Sequence, residues 1–300
     1  MSDVLRHTPY DGSSRPFSIG LRPLDLAEWI EPDAGLRAYL DEKEALFAAV
    51  PERVFRAEAG TEGAQREVFD LLAAHLPARF PQLYVADGDG LRVVPADRTV
   101  RLDLARPLAS AARLVQEDLC LMRAGPDGYR LVAAALAFPS SWSLAEKFAR
   151  PMAEIHAGVP GYAGDMGRRI DRIFQSLRTD IPVFRLNWSL YPDADLHHPE
   201  SKRLAPNRNE GVGEGGLSAF VRVERQTLRR LPESGDILFT IKVLVDPLDA
   251  LLAHPDGPRL ATSLRDQLLA LDAGQLAYKG LALARDRVAD RLAAIAATAG

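Results

Sequence analysis

The densest chemistry in the chain lies between residues 217 and 248, in the run LSAFVRVERQTLRRLPESGDILFTIKVLVDPL. It reads as two strands joined by a Pro-Glu-Ser-Gly turn, where proline presets one φ and glycine tolerates a positive one. Side chains alternate across a strand, so Arg222, Glu224 and Gln226 share one face, and Val221, Val223 and Arg225 the other. Charges inside an apolar strand either meet solvent or point into a polar site. In a pocket, an arginine pairs bidentately with a carboxylate. A glutamate there holds an ammonium or moves a proton. Asn187 and Trp188, at the end of the preceding strand, are placed to line the same cavity.

His156 ends a short helix, beside Ile155 and before a Gly-Val-Pro-Gly stop. A single histidine against apolar residues is one way haem iron is held. On spacing alone, a packed or capping histidine is the commoner outcome. His197 and His198 are consecutive, so they diverge on a regular element and read as a surface loop rather than a metal site. His75, late in a helix, reads as structural, a cation complementing the macrodipole. Cys120, the single cysteine, reads as a small buried hydrophobe and excludes a disulfide framework or thiolate zinc cluster. Walker A, GxGxxG, HExxH, GxSxG and HxE…PCxxC patterns are absent,. The GEGG cluster at 213–216 reads as a loop rather than a phosphate cradle.

These residues need elements to position them. Asp33 caps a helix over 34–48, and a second helix fits 62–75. VQEDLCLMRA and YRLVAAALAFP form a hairpin through Gly-Pro-Asp-Gly. Ser143 caps a short helix, Pro151 opens another ending at His156, and 165–178 is amphipathic. PVFRLNWSLYP is a strand, 193–216 a long polar loop, and 261–272 and 274–297 two helices. The central order is strand, strand, short helices, strand, strand, strand. That is the order of a PAS domain, whose helices leave a small-molecule pocket over one sheet face. The expected fold is α+β: a PAS-like five-stranded antiparallel sheet with flanking N- and C-terminal helices. The expected division is a helical extension (1–114), a PAS-like core (115–248) and C-terminal helices packed on it (249–300).

Composition sets broad bounds. Three hundred residues, 47% hydrophobic and 26% charged, suit a globular protein with a sizeable core,. A formal net charge of −4 carries no footprint for nucleic acid,. No apolar run approaches membrane-spanning length, and the expected location is the cytoplasm.

Together, EDLCLM, FPSSW…K, IHAGVPGY, RLNWSL, RVERQTLRRLPESGDILFTIKV and AYKGL (277–281) resemble the haem-dependent oxidative N-demethylase alpha-subunit-like proteins. The resemblance runs from about residue 17 to about 282. It implies a PAS fold binding haem b and oxidising a small secondary methylamine with O₂ to a primary amine and formaldehyde. Electrons would come from NADPH through flavin and iron–sulfur partner proteins. His156 becomes the iron ligand, Arg222 and Arg225 candidates for propionate pairing or the distal side, and Glu224 the group orienting the protonated amine. The chain has Gly158 where the family pattern commonly shows proline. A non-catalytic PAS sensor of haem or another small ligand is the other reading. It lacks support from any visible output motif. A third is a relative that has lost haem and serves as a scaffold.

Overall fold

A computed structural model of the chain describes residues 4–201, 208–214 and 219–299. Residues 217–218 of the charged run, and 215–216 of the glycine cluster, lie outside the described residues. Five strands form the middle of an antiparallel sheet: β6 (Asp118–Gly125), β7 (Gly128–Ala135), β8 (Val183–Tyr191), β9 (Phe220–Arg230) and β10 (Ile237–Pro247). Their spatial order is β8-β9-β10-β6-β7. The sheet is nevertheless seven-stranded, not five-stranded. The short β1 (Arg22–Pro23) pairs with β8, and β2 (Phe55–Ala57) pairs with β7. Both satisfy edge N–H and C=O groups that a five-stranded sheet would leave open. Strands of two and three residues are too short to carry a period-two signal.

The first 114 residues hold more than helices. They supply both edge strands and a separate three-stranded sheet of β3 (Tyr84–Asp87), β4 (Gly90–Val93) and β5 (Arg98–Arg101). Helices α1 (Leu36–Ala49) and α3 (Glu62–Arg79) form as expected, with the four-residue α2 (Pro51–Val54) between them. Helix α3 continues through Pro77. Burial, helped by Arg229 and Arg79, pushes the His75 pKa down to about 4. His75 is therefore a neutral ring packed edge-on to Trp29, not a cation serving the helix end.

The β9–β10 hairpin turns where proline and glycine predict, with Gly235 at φ 72° and the Leu231 N–H donating to Asp236 O at 2.8 Å. In register, Glu224 lies between Asn187 on β8 and Val243 on β10, and Arg225 between Leu186 and Lys242. After α4 (Pro107–Ala112), three short helices follow β7: α5 (Leu144–Lys147), α6 (Met152–Ile155) and α7 (Gly167–Ser176). The C-terminal part forms three helices rather than two: α8 (Gly257–Leu269), α9 (Ala273–Lys279) and α10 (Arg285–Ala296). Gly280, at φ 66°, ends α9 in a left-handed cap that interrupts the expected long helix,.

Three apolar clusters result. One joins the N-terminal helices to β6 and β7. A second packs α8 and α10 against Trp188, Leu190, Val221 and Val223. The third, on the other face of β8 and β9, gathers Cys120, Met122, Met152, Phe174 and Leu228. The candidate site lies in this last layer.

Candidate functional site

A cavity of about 270 Å³ lies under α6 and α7 on the third cluster's face of the sheet. Its apolar wall includes Met122 and Leu131 from the β6–β7 hairpin, Met152 and Ile155 from α6, and Ile170 and Phe174 from α7. Its polar wall comes from alternate residues of two neighbouring strands: Arg185, Asn187, Ser189 and Tyr191 on β8, and Arg222, Glu224 and Gln226 on β9. Period-two alternation presents these side chains to one face together.

His156 reaches the cavity from the C-cap of α6, a helix started by Pro151. Its Nδ1 donates to the Met152 carbonyl at 3.0 Å. The proton is thereby placed on Nδ1, and the lone pair on Nε2. The ring stacks on Tyr162, centroids 4.8 Å apart. Burial, with the nearby charges of Lys147 and Arg185, pushes its pKa down to about 4 and outweighs the Met152 bond. The imidazole is neutral at ordinary pH and carries a fixed tautomer. A Cβ at Gly158 would meet nothing within 4 Å.

Glu224 is held from one side only. Asn187 donates to its Oε2 at 3.2 Å, and Gln226 donates to the same oxygen at 2.9 Å. Its Oε1 has no hydrogen-bond partner among the described residues. The result is a positioned carboxylate with one oxygen available to a cation.

The other expected site residues are placed differently. Arg222 faces the cavity but is saturated by the protein. Its Nε donates to Ser140 Oγ at 2.9 Å, Nη1 to Asp195 O at 3.0 Å, and Nη2 to Phe138 O at 3.0 Å and Leu196 O at 2.9 Å. It ties the 138–140 and 195–196 segments together, leaving little for a ligand. Arg225 points through the opposite face, where it pairs with Glu31 at 2.8 Å and donates to Trp29 O at 3.1 Å. Trp188, adjacent to Asn187, is likewise on the far face, and its Nε1 donates to Gln267 at 3.0 Å. Of the six residues singled out, His156, Asn187, Arg222 and Glu224 line this cavity, while Arg225 and Trp188 do not.

The histidine pair is not a surface loop. His198 is fully buried and stacked on Tyr191, centroids 4.7 Å apart, and His197 Nδ1 donates to Ala137 O at 2.6 Å. Both rings pack because the 193–201 segment lies along 139–141, with the Ser141 N–H donating to His198 O at 3.0 Å. Cys120 is buried at the cavity wall, and burial pushes its thiol pKa well up, so no thiolate forms there. Among the described residues, no three His, Cys, Asp or Glu side chains gather as a metal cluster.

Among the cavity residues that escaped sequence reasoning are Arg185, Lys147, Tyr278 and Lys279. Arg185 shared the period-two signal of Asn187, two positions on. Lys147 closes α5, and burial lowers its pKa to about 8 despite the opposing pull of Glu224. Tyr278 and Lys279 come from α9, far along the chain, and no local pattern could bring them here.

The family model described as haem-dependent oxidative N-demethylase, alpha subunit-like, matches residues 20–289, and the chain belongs to that family. The match covers every strand of the central sheet and every residue named at the cavity.

Proposed function

We propose that, as a member of this family, the protein is the haem-binding subunit of an oxidative N-demethylase acting on a small secondary methylamine. The observation that carries this reading is the neutral, single-tautomer His156 at an apolar cavity that also holds the half-coordinated carboxylate of Glu224. The residues present fit haem b. His156 offers Nε2 to iron while Nδ1 stays bonded to a carbonyl, the arrangement that orients ligating histidines. Apolar walls from α6 and α7 suit a flat macrocycle. The five central strands, with short helices over one face, support a PAS-like reading of the core. Haem bound there would supply one-electron and O₂ chemistry, with secondary methylamine, O₂, two electrons and two protons giving primary amine, formaldehyde and water.

The chain's own residues do the rest. Glu224 Oε1 accepts a hydrogen bond from the ammonium form of the amine and orients its N–CH₃ bond. Asn187 and Gln226 hold the carboxylate in place and keep it from turning toward Lys147 or Arg185. The carboxylate can also accept the amine proton. Arg222 seals the cavity edge by fixing the 138–140 and 195–196 segments. Electrons from NADPH would arrive through flavin and iron–sulfur partner proteins.

The test is an absorption spectrum after haem reconstitution, with His156→Ala alongside, followed by formaldehyde release from dimethylamine under O₂ with a chemical reductant. A Soret band that shifts or vanishes in the variant, together with formaldehyde from the wild type, is the expected result. Absence of a Soret band in the wild type overturns the reading. Haem binding without turnover, reductant supplied, makes the protein a haem-binding module instead.

A further inference from the structure

Two cations line the cavity without a hydrogen-bond or ion-pair partner among the described residues. The Arg185 guanidinium makes no hydrogen bond or ion pair among the described residues, and its Nε is sealed from solvent. The Lys147 ammonium likewise makes no hydrogen bond there, and lies 4.6 Å from the Trp142 ring centroid. Leaving buried donors unmatched is costly, and folded proteins satisfy nearly all of them. Glu224 attracts both cations, but its Oε2 is taken by two amides and no ion pair joins it to either. Arg222, the arginine that sequence favoured for a ligand carboxylate, is already spent on protein acceptors. Two cations without a hydrogen-bond or ion-pair partner, in a cavity with one apolar wall, complement an apolar ligand bearing two carboxylates.

We propose that Arg185 and Lys147 anchor the carboxylates of the ligand filling this cavity. Under the function proposed above, on which this inference rests, these are the haem propionates. Arg185 offers parallel N–H donors to one carboxylate, and Lys147 a point charge to the other. Such pairing fixes how the macrocycle is turned about its own axis, which apolar walls alone leave open.

The experiment titrates the apo full-length chain with haem and with haem dimethyl ester, which lacks both charges. Binding is read by Soret absorbance and tryptophan quenching. Arg185→Gln and Lys147→Gln are each expected to weaken haem by about tenfold or more and to leave the ester unchanged. Arg185→Lys should recover part of the loss. Circular dichroism melts establish that each variant is folded. Arg185→Met and Lys147→Met, which keep an apolar stem, replace any that is not. Variants that bind haem like the wild type, or that weaken haem and ester equally, overturn the inference. A wild-type Soret band in that case leaves the haem reading standing. No Soret band in the wild type overturns both.

Discussion

The two faces of the central sheet both bury charge and finish it differently. On the far face, Arg225 pairs with Glu31, and Lys242 with Asp33 and the Glu31 carbonyl. Burial alone would raise the Glu31 pKa, yet His7, Arg225 and Lys242 together hold it down at about 2. On the cavity face, Arg185 and Lys147 have no hydrogen-bond partner among the described residues, and Glu224 keeps one oxygen open. A closed charge network marks a place where the chain holds itself together. An open one marks a place completed by something else. Arg222 shows that facing a cavity is not the same as serving it, since its donors are used up by the fold.

The largest expected effect breaks the closed face. Arg225→Met leaves Glu31 buried against fewer cations, and should cost about 3–5 kcal/mol, measured as a fall in urea midpoint. Haem binding by the folded fraction should be unchanged, because Arg225 does not reach the cavity. A stability loss under 1 kcal/mol, on the order of a surface pair, would mean the far face is less closed than its geometry.

Arg222→Met comes next. It strands the carbonyls of Phe138, Asp195 and Leu196, and about 2–4 kcal/mol should be lost, read by the same denaturation. Were Arg222 a ligand-binding arginine instead, the loss would appear in haem affinity with stability intact.

pH separates the faces in the apo protein. The folded pKa of His156 is lowered to about 4 from the ordinary histidine value of 6.5. The unfolded state therefore binds its proton first, and stability drains as pH falls from about 6.5 to about 4. Glu31, lowered from 4.5 to about 2, contributes stability present above about 4.5 and lost as pH falls toward 2. Each is on the order of 1–3 kcal/mol. Melts across pH should show the upper limb flattened in His156→Gln and the lower limb flattened in Glu31→Gln. His75 shares the upper window, so only the difference from wild type reports on His156.

Glu224→Gln should disturb stability least, within about 1 kcal/mol, because the amide keeps an acceptor for Asn187 and Gln226. It should still weaken the amine-induced spectral change of the haem-loaded protein by about tenfold. Unaltered amine binding would remove Glu224 from the site.

Much of this was legible locally. The hairpin turn at Gly235, the separation of Arg222 and Glu224 from Arg225, and the histidine at the end of a Pro-started helix all follow from short-range rules. The edge strands and the three-stranded sheet were not, because two to four residues carry too little periodicity. The burial of His198 was missed because consecutive polar residues in a loop give no burial signal.

The sequence by itself determined which side chains share a strand face and which helix presents His156, since backbone alternation and turn chemistry act over a few residues. Tertiary structure alone decided which buried charges are satisfied. Arg222 meets its carbonyls 26 to 84 residues away, and Arg225 meets Glu28 and Trp29 from 197 and 196 residues away. A charge's role depends on what stands opposite it, and that is set only when distant segments pack.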